Sequence, residues 1–321
     1  MNDTKGRVAV ALMGPTAAGK TAVAIELAQR LPIDIISVDS AMIYRGMDIG
    51  TAKPSRSLLS RYPHALVDIR DPAESYSVAD FIDGAKAALA SSWARARLPL
   101  LVGGTMLYFK ALRDGIADIP ATPAEVRKTL AERARIEGLQ TLHRELERVD
   151  PVAARGIHAN NPQRLLRALE VYVASGRPIS DWWAQQSDQG LARSLDCKLI
   201  EVEVRPQREV LRSRIEGRFD DMIAQGFIEE VATLRERGDL DASLPSIRCV
   251  GYRQVWDFLG GAIDEEELKL RVLRATRGLA KRQSTWLARF SNRRSFDSAQ
   301  PQVVSEILQY LDSLAILARQ S

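Results

Sequence analysis

The first strong pattern in the chain is an unbroken apolar run, Val8 to Met13, followed by Gly14 and a polar turn. Beyond the turn, Val23, Ile25, Leu27 and Ala28 recur with helical spacing until Pro32. A short continuous apolar run bounded by a turn predicts a strand buried on both faces, and a helix cannot continue through proline. Ile33 to Val38 is a second β-branched run, so the chain opens strand, helix, strand. That order predicts a parallel α/β sheet whose ligands sit at the carboxyl ends of the strands. Further strands are predicted at 65–69 and 98–102, separated by a helix over 78–97 that carries Phe81, Ile82, Leu89 and Trp93. Lys198 to Val204 alternates apolar and polar positions and predicts a return to the sheet. Long helices are predicted over 208–236 and 265–289, and an amphipathic helix is appended after Pro301.

Between these α/β stretches the pattern changes. Pro120 and Pro123 break the chain after Ile119, and the residues up to Cys197 are charged, helical in period and free of strand signals. The expected organisation is therefore a first core part, 1–118, an inserted helical subdomain, 119–197, a return to the core, 198–297, and a C-terminal tail, 298–321. Inside the insertion, Asn161 is a suitable helix cap, Pro162 a suitable first helical residue and Gly176 a suitable end. That helix directs Leu165, Leu166, Leu169, Tyr172 and Val173 to a core, while Arg164 and Arg167, three apart, share another face.

Composition narrows the class. The 321 residues, 45% hydrophobic and 27% charged, are those of a globular protein, and no apolar run is long enough to span a bilayer. The short apolar run after Arg7 leads into a turn rather than a cleavage site, so no signal peptide is expected and the protein is placed in the cytoplasm. Cys197 and Cys249 stand far apart, and His64, His143 and His158 lack metal-like spacing; a zinc site and a disulfide framework are both unsupported. A net charge of +4 is compatible with a polyanionic partner. Arg271, Arg274, Arg277 and Lys281 recur at helical spacing as a basic stripe suited to phosphates, or to a merely solvated helix face.

The turn after the first strand reads Gly14-Pro15-Thr16-Ala17-Ala18-Gly19-Lys20-Thr21, the G-x-x-x-x-G-K-T pattern, with a buried strand before it and a helix after it. In that context the pattern predicts a P-loop: glycine frees the backbone to aim successive N–H groups at one anion, aided by the positive end of the helix. Lys20 adds a full charge, and Thr21 a hydroxyl suited to Mg²⁺. Asp39 and Thr105 both fall at predicted strand ends. Alone, Asp39 serves equally as a general base, a water-mediated Mg²⁺ ligand or a helix cap.

The run from Ser37 to Pro54, SVDSAMIYRGMDIGTAKP, resembles the signature of the tRNA dimethylallyltransferases, also called tRNA isopentenyltransferases. Five further stretches are similar to that family in the same order: Gly14 to Thr21, Val102 to Tyr108, Asn161 to Arg167, Ile247 to Gln254, and Thr276 to Trp286. The resemblance implies a P-loop NTPase-like core and transfer of a dimethylallyl group from its diphosphate to N6 of adenosine 37 in tRNA, with Mg²⁺ at Thr21 and the chain acting as a monomer. It implies Asp39 as base, Arg218 on the departing diphosphate with Arg214 as runner-up, and Thr105 near the reacting groups. Implied tRNA contacts are Asp39, Ser40, Ala41, Met42, Thr105, Arg127, Gln163, Arg164, Leu165, Leu166, Arg167, Arg248, Cys249, Val250, Gly251, Tyr252, Arg253, Arg277 and Lys281. Met42 departs from the glutamine of many relatives, and no C-terminal zinc finger of the eukaryotic kind is present, so the chain resembles the bacterial form. The competing expectations are a P-loop kinase using ATP on a small metabolite, and a tRNA-binding protein without chemistry.

Overall fold

A computed structural model describes residues 6–185, 190–314 and 316. The end of the predicted tail, 317–321, lies outside the described residues, as do 1–5 and 186–189 of the predicted core and insertion. The elements begin β1 (Arg7–Met13), α1 (Lys20–Arg30), β2 (Ile33–Val38), α2 (Arg56–Arg61), β3 (His64–Ala65), α3 (Val78–Ala94), β4 (Leu98–Gly103) and α4 (Met106–Asp114). A helical stretch follows: α5 (Ala124–Glu137), α6 (Leu139–Val149), α7 (Pro151–Gly156), α8 (Pro162–Ser175) and α9 (Ile179–Ala184). Next come α10 (Leu191–Ser194), β5 (Cys197–Val204), α11 (Arg208–Ala224), α12 (Phe227–Glu236) and α13 (Tyr252–Leu259). The chain closes with α14 (Glu265–Leu287), β6 (Arg294–Phe296) and α15 (Val303–Ser313). The described residues up to Arg113 and from Leu191 form one compact unit, and Asp114–Gly190 forms a second. No described helix is long and apolar enough to cross a membrane.

The first unit is built on a six-stranded sheet of order β3-β2-β4-β1-β5-β6 in which every pair is parallel. β1 lies at its middle, which explains its continuous apolar run: a central parallel strand buries both faces. Val10 and Leu12 pack with Val23 and Leu27 of α1 and with Ile307 and Leu311 of α15, while Ala9, Ala11 and Met13 are also fully buried. The helix predicted as an appendage is thus part of the main core. A second cluster joins the loop residues Ile43, Tyr44 and Met47 to Phe219, Phe227, Val231, Tyr252 and Val272 of α11 to α14.

Two predicted elements differ in extent. The strand expected over 65–69 stops at Ala65, because Leu66 and Asp68 take left-handed backbone angles, φ 66° and 56°. This brings Asp68 to the Lys53 amine at 2.5 Å. The helix expected over 208–236 divides at Gly226, φ 94°, whose missing side chain permits the left-handed break. α13 and β6 carry too few periodic residues to have been predicted.

The second unit has its own core of Leu130, Leu142, Leu146, Leu165, Leu169 and Ile179. The Asn161 side chain accepts the Arg164 N–H and Gly176 ends α8 at φ 69°, as the sequence predicts. Asp150, almost fully buried, accepts N–H groups from Ala153 and Ser180, so one carboxylate caps α7 and fastens the start of α9.

Strand packing leaves no room at Gly103, where an added Cβ would lie 2.0 Å from the Val38 carbonyl oxygen. Gly103→Ala should lower stability by about 1–3 kcal/mol through overpacking. Gly217→Ala, on α11 with nothing within 4 Å of its added Cβ, should raise stability by about 0.5–1 kcal/mol. Thermal unfolding followed by circular dichroism checks both, and equal midpoints would refute the contrast.

Candidate active site

The site grows from strand register. Met13, Gly103 and Val38 are aligned partners across β1, β4 and β2, so Gly14, Gly104 and Asp39 all lie one residue past the carboxyl edge of the sheet. β4 separates Gly14 from Asp39, a gap of about 10 Å or two inter-strand spacings. A cavity of about 820 Å³ opens at this edge. Its lining includes Thr16, Ala17, Gly19, Lys20 and Thr21 of the first turn, Asp39 to Met42 after β2, and Gly103 to Leu107 around the end of β4.

The loop has the shape expected of an anion cradle. Gly19, φ 87°, is the N-terminal cap of α1, and Ala17 also takes a left-handed angle, φ 61°. Gly14 sits so tightly that a Cβ would meet the Val204 carbonyl oxygen at 2.3 Å. The half-buried Lys20 curls back to donate to the carbonyls of Gly14 at 3.0 Å and Pro15 at 2.8 Å. Burial lowers its pKa to about 8, with Asp39 opposing and Arg218 adding to the shift. Arg218 of α11 lines the same cavity and makes no hydrogen bond or ion pair with any described residue; burial, and then Arg214, holds its pKa below the usual arginine value. Arg214 is occupied elsewhere, donating to the carbonyls of Ala18 at 3.4 Å and Ser298 at 3.3 Å. Two cations without carboxylate partners therefore line the same cavity as the phosphate loop.

On the other side, Asp39 Oδ1 accepts the N–H groups of Ala41 at 2.8 Å and Met42 at 3.3 Å. Oδ2 receives no hydrogen bond from a described residue. The Thr105 hydroxyl does not cap α4; it accepts the Ser40 N–H at 3.1 Å and lies 3.4 Å from the Ser40 hydroxyl. Thr105 thus ties the β4 turn to the β2 turn, fixing Asp39 between them. Arg248, Cys249, Val250, Gly251 and Tyr252 form another wall. The Cys249 thiol is pushed up to about 12 by burial and the Asp39 charge, so it stays neutral, and both cysteines are free.

The chain is matched from residue 42 to residue 290 by the family model described as IPP transferase, and over 8–71 by the one described as isopentenyl transferase. This chain belongs to the IPP transferase family. It is similar to the tRNA isopentenylpyrophosphate transferase of Bacillus halodurans, with 37% identity over 98% of each chain and a TM-score of 0.70. The tRNA delta(2)-isopentenylpyrophosphate transferase of Staphylococcus epidermidis shares 28% identity over 96% of this chain and 99% of its own, at a TM-score of 0.67. A eukaryotic dimethylallyltransferase acting on tRNA, only 21% identical, shares the fold at a TM-score of 0.80 over 98% of this chain and 80% of its own.

Other residues named from the sequence lie apart from the cavity lining. Arg277 is ion-paired with Glu216 of α11, and Lys281 and Arg253 are exposed, whereas Tyr252 lines the cavity with its hydroxyl donated to Glu230 at 2.5 Å. In the helical unit, Arg127, Gln163 and Arg164 are exposed, and Arg167 donates to the Thr122 hydroxyl at 2.6 Å. Leu165 is fully buried in the core of the helical unit, and Leu166 is partly buried against the same core.

Sequence reasoning missed Glu230. Its carboxylate accepts three consecutive backbone N–H groups, from Asp48 at 2.8 Å, Ile49 at 2.7 Å and Gly50 at 3.1 Å, besides the Tyr252 hydroxyl. It thereby clamps the loop that begins at Asp39 to the start of α13. Thr276, Arg282, Gln283 and Trp286 of α14 also line the cavity. The α14 stretch was singled out for its family resemblance and its basic residues, without a role for these four, and an isolated glutamate on a charged helix carries no sequence signal.

The ammonium form of Lys20 is the form that holds an anion, so raising pH through about 8 removes that charge. Affinity for inorganic pyrophosphate should fall about tenfold between pH 7 and 9 beyond any loss in Lys20→Arg, whose guanidinium stays charged. Calorimetry should also show proton uptake on binding near pH 8. Parallel pH profiles for the two proteins would refute the shift.

Proposed function

We propose that this transferase moves a dimethylallyl group from dimethylallyl diphosphate to N6 of adenosine 37 in tRNA. The carrying observation is the opposition, inside one cavity, of two unpaired cations at the phosphate loop and a carboxylate with one free oxygen at the next strand end. N6 of adenine is a poor nucleophile because its lone pair is delocalised into the ring, so it must shed a proton as it attacks. The bond from N6 to C1 of the prenyl group forms while the C1–O bond breaks and diphosphate leaves with that electron pair. Asp39 Oδ2 takes the N6 proton, Oδ1 being held by Ala41 and Met42. The loop amides, Lys20 and Arg218 stabilise the charge that develops on the diphosphate.

A divalent cation fits this arrangement. The Thr21 hydroxyl and the Asp39 carboxylate line the same cavity, and both are hard oxygen donors. Among the described residues no group of three or more His, Cys, Asp or Glu gathers, which suits Mg²⁺, an ion that keeps several waters and leans on substrate phosphates. Held by the Thr21 hydroxyl and the substrate phosphates, it would supply further positive charge to the diphosphate, leaving Asp39 Oδ2 to the proton.

An adenosine edge can reach the cavity only if the nucleotide is turned out of its stack. Exposed Arg248, Arg253 and Lys281 of the first unit are the side chains we assign to the tRNA backbone around it, and exposed Arg127, Gln163 and Arg164 are those we assign to tRNA on the helical unit. The RNA substrate supports a cytoplasmic location. A metabolite kinase would use the same phosphate loop, but family membership favours prenyl transfer. A binding protein without chemistry leaves the buried Lys20 beside Asp39 unaccounted for.

The deciding experiment mixes protein and Mg²⁺ with an anticodon stem-loop and either dimethylallyl diphosphate or ATP, then weighs the RNA. A mass gain with the prenyl donor alone is expected; ATP consumption without RNA modification would overturn the proposal. Asp39→Asn, which retains the Oδ1 acceptor, should lower kcat about 10²- to 10⁴-fold while RNA still binds. Arg218→Ala should raise the donor KM or slow transfer by about 10²- to 10³-fold. Wild-type kinetics in either variant would remove that residue from its role.

A further inference from the structure

One polar side chain inside the cavity is committed to neither of its two sides but to both. The Gln283 side-chain carbonyl accepts the Thr16 N–H at 2.8 Å, and its amide NH₂ donates to the Gly104 carbonyl at 3.0 Å. The assignment of oxygen and nitrogen follows from the partners, since a backbone N–H can only donate and a carbonyl only accept. The fit is close: a Cβ on Gly104 would lie 2.5 Å from Gln283 Nε2 and 3.3 Å from the Gly14 carbonyl oxygen. Gly104 is therefore glycine because α14 delivers this amide into the gap between the phosphate loop and the β4 turn.

The consequence is a continuous string of contacts across the reaction centre. Thr16 is bonded to Gln283, Gln283 to Gly104, and Gly104 is followed by Thr105, which holds Ser40 beside Asp39. The Thr16 amide is consumed in this bridge and the Ala18 amide donates to the Pro15 carbonyl at 3.2 Å, so the anion cradle falls to the remaining amides of the loop. Lateral strand pairing fixes β1, β4 and β2 against each other only as far as Met13, Gly103 and Val38. Beyond that edge, Gln283 is the side chain that sets the phosphate loop against the turn carrying Thr105. We propose that Gln283 is a positioning residue for group transfer, holding the leaving-group cradle and the proton-accepting turn at their working separation. The role in transfer rests on the prenyl-transfer reading; the bridge itself does not.

Two variants test it. Gln283→Met keeps the volume and loses both hydrogen bonds. Gln283→Glu keeps an acceptor for Thr16 and regains a donor for Gly104 only when protonated. Displacements on the scale of an ångström cost up to about 10²-fold in rate, so kcat for prenyl transfer should fall about 10- to 100-fold in Gln283→Met. Its affinity for an anticodon stem-loop, measured by filter binding, should stay within about twofold of wild type. The ratio of Gln283→Glu to wild-type turnover should rise as pH falls from 8 to 5.5, and that of Gln283→Met should stay flat. Inorganic pyrophosphate affinity, measured without RNA, should fall about fivefold or more in Gln283→Met, since one loop anchor is lost. Weakened RNA binding with unchanged kcat would make Gln283 an RNA contact and overturn the proposal, as would unchanged kcat and pyrophosphate affinity together. If wild-type protein transfers no prenyl group, the functional reading fails, while the pyrophosphate measurement still decides whether the bridge shapes the cradle.

Discussion

Lys20 and Arg218 share a cavity without a carboxylate to balance either, and removing two like charges from water is among the costlier things a fold can do. The structure bears that cost through its scaffold. The Lys20 amine is pinned on two loop carbonyls, Arg218 is held on a long helix anchored in the core through its neighbours Ile215 and Phe219, and Asp39 supplies the countercharge felt by Lys20. An arrangement that is uncomfortable without an anion is one that binds an anion firmly. The rest of the first unit can be understood as the frame that keeps these groups from relaxing away from each other.

That frame begins with sheet order. Because β1 lies between β4 and β5 and β2 lies beyond β4, three consecutive strand ends in space come from distant parts of the sequence and arrive in register. A parallel sheet with these crossovers leaves its crevice at the carboxyl ends, which is where the phosphate loop, Asp39 and Thr105 are found. Glycine appears where one strand end must press on another, as at Gly14 against Val204 and Gly103 against Val38.

Beyond the sheet edge, hydrogen-bonding side chains take over from strand pairing. Asp39 folds its own turn, Thr105 joins that turn to β4, Glu230 fastens the far half of the same loop to α13, and the Phe227 ring fills the space against Gly50 and Gly251. Lys53, only 2% exposed, closes the loop from within through Asp48, Asp68 and the Tyr44 carbonyl. The walls of the cavity are consequently loops with the fixity of secondary structure, suited to a reaction whose two partners must be presented to each other at a set distance.

Much of this was legible in the linear chain. The opening strand, turn and helix, the sheet class, the helical insertion with its Asn161 cap and Gly176 stop, and the positions of Lys20, Asp39 and Thr105 at strand ends all follow from periods and turn residues that depend on near neighbours. The break at Gly226 was not read there, because Gly217 in the same helical pattern stays inside α11 and glycine alone does not say which of the two ends a helix. Local pattern did not disclose the partners across the fold: that Arg277 is spent on Glu216, or that the Thr105 hydroxyl serves Ser40 and not its own helix. Glu230 and Gln283 are the extreme cases. Each bonds to residues some 180 to 270 positions away, and a single glutamate or glutamine on a helix has the same local signature whether it faces water or holds an active site together. Local chemistry therefore determined what the chain is equipped to do, and only the long-range packing of α12 and α14 against the sheet edge decided how those groups are held.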